Sequence, residues 1–270
     1  MVVKIYTKAS KGVPAEAETL KTLSQHGSVI NILTYLPNSS ALQGGAAFFE
    51  YCPEGDLFDL RVVLRKKRVV FSEKSLWPII GQLSAAIAFL HEGIGCDNPA
   101  NSDSWHPVIH RDIKPENVFI VSLGQKEDLS SIVIKPGDFG FSAFYDSTNA
   151  RMPGWAGTTM MWPPEQTWEG HEARPSGDVW AVGCVVHELA HGFPPVVNPD
   201  VAEKAWGMEN RSLMAPLHLR LEKRATAGQL QAKVEEWHAA FLFEELKAEH
   251  EAPRNEEKGT DGEDGQEEGF

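Results

Sequence analysis

The octapeptide HRDIKPEN, His110 to Asn117, sets a histidine, an arginine, a carboxylate, a lysine and an amide within eight positions. Asp112 and Asn117 stand five apart, and a second acid follows in the tripeptide DFG, Asp138 to Gly140. Phosphoryl transfer needs such groups together. One carboxylate orients or deprotonates an attacking hydroxyl, while a carboxylate and an amide hold Mg²⁺ against nucleotide phosphates. A lysine two residues beyond the base, Lys114, can neutralise charge on the transferred group. DFG alone is a weak signal; HRDIKPEN with DFG downstream is a strong one.

Other elements must position these groups. VVKIY at the start is rich in β-branched residues and reads as a strand. PAEAETLKTLSQH reads as a helix with Pro14 in its first turn. Its Glu16, Leu20 and Leu23 lie along one stripe, and Glu18 points elsewhere. VINILTYL and AAFFEYC read as two further strands, closed by a Pro/Gly turn at Pro53 to Gly55. SLWPIIGQLSAAIAFLHEG is a strong helix, and a polar loop, GCDNPANSDSWHP, follows it. VFIV and IVIK flank a long connection as a strand pair. DVWAVGCVVHELAHG is an apolar helix fit for burial, and TAGQLQAKVEEWHAAFLFEEL is an amphipathic one. Strands with one helix come first and helices later, which predicts an α+β fold with a small sheet-based lobe and a larger helical lobe.

Composition limits the function. Of the net charge of −13, residues 244–270 carry −8, from eleven acids against three bases. After Ala252 that segment has almost no apolar side chains, and it is expected to be a disordered acidic tail. The acidic balance argues against nucleic acid as a partner. Cys52, Cys96 and Cys184 are odd in number and widely spaced, so neither a disulfide framework nor a zinc site is expected. No apolar run approaches the length of a membrane span, and the N-terminus lacks a signal-peptide core. A soluble intracellular protein, cytoplasmic and/or nuclear, with no membrane partner, is the expectation. Cys184 is expected in the core, Met160 and Met161 in loop packing, and Cys96, Trp105 and His106 at the surface.

The combination of motifs resembles a eukaryotic Ser/Thr protein kinase domain from Val2 to about Leu230. GTTMMWPPE, Gly157 to Glu165, is similar to the family's GTxxYxAPE segment, with Met161 and Pro163 in place of Tyr and Ala. DVWAVG, Asp178 to Gly183, resembles its central-helix motif, and KRATAGQL carries its late arginine, Arg224. The resemblance implies a two-lobed fold, with residues 1–52 as a partial small lobe and hinge, 53–243 as the large lobe and 244–270 as the tail. It implies ATP and Mg²⁺ as cofactors and proteins bearing Ser or Thr hydroxyls as substrates.

Residue by residue, the resemblance makes Asp112 the catalytic base, Lys114 the phosphate-facing lysine that favours Ser/Thr over Tyr, and Asn117 and Asp138 the Mg²⁺ ligands. Thr158 would sit beside the base, and Glu165 with Arg224 would form a buried ion pair. Asp178 would anchor the backbone of the loop at His110 and Arg111. MVVK makes Lys4 the phosphate-pairing lysine, or else an exposed lysine at a frayed end. Glu16 is its helix partner, or a solvated glutamate favoured by the helix dipole. Leu20 would stack over Phe139. Glu50 to Cys52 resembles the hinge that meets adenine, with Phe49 behind it. Asp56 reaches a ribose or a basic substrate residue, or is a solvated turn acid, and Glu116 could also attract a basic substrate. Arg111 could pair with a phosphorylated residue among Ser142, Ser147, Thr148 and Thr159; the usual position aligns near Gly154.

The sequence departs from the family further, before Lys4 and again between Asp178 and Arg224. No glycine-rich loop precedes Lys4, GIGCDN at Gly93 being in the wrong place, and the family's first two strands are missing. The Lys4 strand is expected to be an unpaired edge. The segment between Asp178 and Arg224 is short. Two readings follow, a compromised fragment of an active kinase or a pseudokinase-like scaffold that binds partners. The surviving catalytic groups favour the first.

Overall fold

Alternating side chains in VVKIY suit a pleated edge, and Val2–Tyr6 forms the first strand, β1. Helix α1 spans Ala15–Thr22, and β2 (Ile32–Ser39) and β3 (Gly44–Phe49) complete a three-stranded antiparallel sheet of order β1-β3-β2. The computed structural model describes residues 1–6, 13–23, 25–39, 44–96, 105–125, 128–146, 155–167, 172–195 and 224–251. Lys4 pairs with Ala47 across the sheet. As expected, β1 is an edge: it bonds to β3 on one side. A register shift between Leu36 and Ser39 brackets Pro37, which has no N–H to give a ladder.

Two ends differ from expectation. Helix α1 stops at Thr22 rather than His26, because Asn31 claims the His26 backbone: it accepts from His26 N at 2.8 Å and donates to His26 O at 3.0 Å. Strand β3 ends at Phe49, so Glu50 to Cys52 is an extended link and not strand.

The larger lobe opens with a helix that the strand-like Val62–Val63 pair conceals in the sequence, α2 (Leu57–Lys66). Asp56 caps it by accepting from Asp59 N at 2.8 Å, and Arg65 and Lys66 complement the dipole in its last turn. Helix α3 (Glu73–Glu92) is capped by Ser72 and ends at Gly93 in the left-handed region, φ 68°. Trp105 lies over Gly93, so any Cβ there would meet its ring at 2.8 Å. The short pair β4 (Val108–Ile109) and β7 (Ala143–Phe144), and the pair β5 (Val118–Ser122) and β6 (Val133–Pro136), frame the HRDIKPEN loop. The one-turn helix α4 (Pro164–Thr167) precedes α5 (Pro175–His191), which has Pro175 in its first turn and Gly192 as its left-handed cap.

The core has two parts. Helices α3 and α5 pack on each other through fully buried residues such as Ile80, Leu83, Ile87, Trp180, Val182 and Cys184. A second cluster joins α1, the sheet and α3 through Leu20, Leu23, Ile30, Phe49, Phe89 and Phe139. Each such large side chain contributes about 1.5–3 kcal/mol on burial. Trp105 and Cys96 pack against this cluster instead of lying at the surface. The Trp105 indole sits 5.3 Å from the Phe89 ring and donates to Leu90 O at 3.1 Å, which fastens Trp105 to α3.

Helix α6 (Ala227–Glu251) buries Ala227, Leu230 and Val234. The compact body extends to Glu235, and residues from Glu236 form a second unit. The helix runs past Glu244, where the disordered tail was expected to begin, because EELKAEHE is made mainly of strong helix formers. The remainder of 244–270 lies outside the described residues, as do Ser147, Thr148 and Gly154.

Candidate active site

The loop between β4 and β5 carries HRDIKPEN, and its shape is set from below by α5. Arg111 has φ 67°, a conformation that costs a non-glycine residue about 1–3 kcal/mol. Asp178, in the first turn of α5, offsets this by accepting from His110 N at 2.7 Å and Arg111 N at 2.9 Å. Its carboxylate also accepts from His91 Nε2 at 2.9 Å. Burial alone would raise the Asp178 pKa, but the His91 bond and the bonds at His110 hold it below the usual carboxylate value. His110 is fully buried, and desolvation lowers its pKa. Its neutral ring donates from Nε2 to Gly137 O at 3.1 Å and accepts at Nδ1 from Asp112 N at 3.3 Å. One tautomer therefore ties the HRD loop to the residue before Asp138. The ring also packs at 4.7 Å on Phe139, which shares its buried cluster with Leu20.

Asp112 is 4% exposed and each of its oxygens is held. Asn117 Nδ2 donates to Asp112 Oδ2 and to Asp112 O, both at 2.8 Å. Thr158 Oγ1 donates to Asp112 Oδ1 at 2.8 Å. Lys114 Nζ lies 3.1 Å from Asp112 Oδ2 and 2.9 Å from Thr158 Oγ1. The approach of Thr158 depends on Gly157 at φ 85°, where a Cβ would collide with Arg111 O. Four of the residues singled out in the sequence thus share one polar cluster.

Across the cleft, Lys4 Nζ bonds to Glu16 Oε2 at 2.7 Å and to Asp138 Oδ1 at 2.9 Å. Partial burial works against the ammonium, but Glu16 and Asp138 outweigh it and raise its pKa. Burial likewise works against the Asp138 carboxylate, and Lys4 outweighs it and lowers the pKa. Lys4 is neither frayed nor free, and Glu16, at 5% exposure, is not a solvated first-turn glutamate. Tyr6, not anticipated as a site residue, donates to the same Glu16 Oε2 at 2.8 Å. Its spacing of two from Lys4 along a strand is the signal that could have found it.

A cleft of about 440 Å³ lies beside this cluster, lined by Val2, Lys4, Ile30, Phe49, Cys52, Asp56, Phe119 and Asp138 among others. The Glu50 side chain, which also lines it, is held by protein partners. It accepts from Asn31 N at 2.8 Å and from Lys135 Nζ at 2.8 and 2.9 Å, a pairing the sequence did not reveal. Glu50 N is committed to Asn31 O at 3.1 Å, so the Glu50 carbonyl and the Cys52 backbone remain for a ligand. Asp56 lines the cleft while capping α2. On the far side, Arg224 grips Glu165 with two bonds of 2.6 Å and lies over the Trp180 ring at 5.2 Å. Arg111 Nε donates to Phe141 O at 2.6 Å. Ser142 is buried and donates to Phe139 O at 2.8 Å, which removes it as an accessible phosphorylation site; Thr159 is exposed.

The chain matches the family described as protein kinase domain over residues 2–251 and belongs to it. It is 31% identical over 146 residues to the serine/threonine-protein kinase Nek2 of Homo sapiens, covering 54% of this chain and 29% of that protein. It is 30% identical over 210 residues to the G2-specific protein kinase nimA of Emericella nidulans, covering 72% and 28%. In fold it is similar to a chain of the CAK complex from Chaetomium thermophilum bound to ATP-gamma-S, with a TM-score of 0.62 at 21% identity, covering 85% of this chain and 79% of that one. The chain spans less than a third of the length of Nek2 and nimA.

Proposed function

We propose that the protein transfers the γ-phosphoryl group of ATP to Ser or Thr hydroxyls of protein substrates. The observation that carries this reading is the Asp112 carboxylate, oriented by Asn117 and Thr158, with the Lys114 ammonium 3.1 Å away. Asp112 accepts the proton of the attacking substrate hydroxyl while the hydroxyl oxygen forms a bond to the γ-phosphorus. The bond from that phosphorus to the β,γ-bridging oxygen breaks, and ADP leaves with the electron pair. Lys114 stabilises charge on the transferred group, and Lys4, held by Glu16, meets the nucleotide phosphates. The adenine lies in the cleft against Phe49, with the Glu50 carbonyl and Cys52 backbone as its hydrogen-bonding edge and Asp56 near the ribose.

Asn117 and Asp138 suit Mg²⁺. Both Asn117 amide protons serve Asp112, which leaves Oδ1 as the donor atom, and Asp138 is kept ionised by Lys4. One carboxylate and one amide oxygen are hard donors, a set that fits a cation shared with nucleotide phosphates. When bound, Mg²⁺ neutralises phosphate charge. The Arg224–Glu165 pair fastens the segment that carries Thr158, and Asp178 fastens the base. We place the lobe boundary at Cys52 and the protein inside the cell, cytoplasmic or nuclear, in keeping with its three free thiols. Transfer of labelled phosphate from MgATP to Ser/Thr substrates, run beside Asp112→Asn, tests the reading.

A further inference from the structure

Glu16 has two tethers, and the second has a chemistry the first lacks. Tyr6 follows Lys4 by two positions on β1, so both side chains leave the same face of the strand. Their donors converge on one atom, Glu16 Oε2, at 2.7 Å from Lys4 Nζ and 2.8 Å from Tyr6 Oη. Glu16 is 5% exposed, and a carboxylate so buried is stable only with its partners in place. The Tyr6 ring is set edge-on against Tyr35 of β2, with centroids 6.3 Å apart and planes at 69°. Helix α1, which carries Glu16, is eight residues long and has no side-chain N-cap. Its place therefore depends on buried Ala17 and Leu20 and on whatever holds Glu16.

We propose that Tyr6 is a positioning residue for phosphoryl transfer, its hydroxyl keeping Glu16 and α1 docked while Lys4 engages the nucleotide. The inference rests on the function proposed above. Lys4 already divides its ammonium between Glu16 and Asp138 and is 42% exposed, so an incoming phosphate competes directly for it. A tyrosine hydroxyl is a neutral donor that phosphate does not draw away by charge, and its bond to Glu16 persists when the lysine shifts. Burial and the Glu16 charge both push the Tyr6 pKa upward, so the hydroxyl keeps its proton throughout the working range.

The test uses the full chain with Tyr6→Phe, which keeps the ring and its contact with Tyr35 and removes only the oxygen. Steady-state transfer from MgATP and hydrogen exchange of the Ala17–Thr22 amides are measured for the wild type, Tyr6→Phe, Glu16→Ala and the double variant. The expected result is a drop in kcat of about tenfold for Tyr6→Phe, the order set by one hydrogen bond to a charged acceptor. The change in KM for ATP is smaller, and exchange in α1 is faster. In the Glu16→Ala background the same substitution has no further effect on kcat, because the shared acceptor is already lost. Wild-type kcat and wild-type α1 exchange in Tyr6→Phe would overturn the proposal, as would losses that multiply independently in the double variant. If the wild type transfers no more phosphate than Asp112→Asn, the kinase reading fails, and α1 exchange alone then decides whether Tyr6 holds the helix.

Discussion

At the scale of single residues the site is a set of committed hydrogen bonds, and pH should expose them. His110 is held neutral by burial, below its ordinary pKa of 6.5, so as pH falls through that value the unfolded chain takes up the proton first. Asp178 is held below its ordinary 3.8, so its stabilisation is present above that value and is lost as pH falls through its lower folded pKa. The expected profile of urea midpoint against pH is flat from pH 8 to about 7, declines below about 6.5 and declines again in the carboxylate range. A midpoint that held steady down to about pH 5 would contradict the buried, neutral His110. The groups that do the chemistry were legible because they cluster in sequence, Asp112, Lys114 and Asn117 within six residues and Asp138 in a recognisable tripeptide. The groups that hold them were less so. His91 reaches Asp178 across 87 positions and Lys135 reaches Glu50 across 85, separations that no local spacing reveals.

At the scale of elements, long apolar helices announced themselves and short or mixed ones did not. Helices α3 and α5 are apolar enough to be read directly, and their caps at Gly93 and Gly192 closed them where expected. Helix α2 was hidden, since β-branched Val62 and Val63 favour strand and its helical signal is the Asp56 cap with a basic last turn. That cap gives a direct prediction. Asp56→Ala should cost about 1 kcal/mol of stability, read by thermal denaturation, through loss of the bond to Asp59 N. If it leaves the melting temperature unchanged while weakening nucleotide binding, the side chain serves the cleft and not the helix. The end of α1 is illegible in the sequence for a related reason: Asn31 captures His26 from outside the helix, a tertiary contact that outweighs helical periodicity.

At the scale of the whole molecule, the order of strands before helices gave the two-lobed arrangement, and the buried Glu165–Arg224 pair secures the substrate side of the larger lobe. Both side chains are almost fully enclosed, and Glu165→Ala leaves the Arg224 charge buried with Ser176 O as a remaining acceptor. The expected cost is about 3–5 kcal/mol in denaturant unfolding. A loss under 1 kcal/mol would show that the pair is not a buried anchor. What joins the lobes is Asp138 of the larger one, bonded to Lys4 of the smaller at 2.9 Å, both lining a cleft of about 440 Å³. The most direct test is labelled-phosphate transfer from MgATP to a mixed Ser/Thr peptide substrate by the wild type and Asp112→Asn. The account predicts transfer to serine and threonine that the substitution lowers by about 10²–10⁴-fold. Absence of transfer by the folded wild-type chain, or equal transfer by the two proteins, would contradict it.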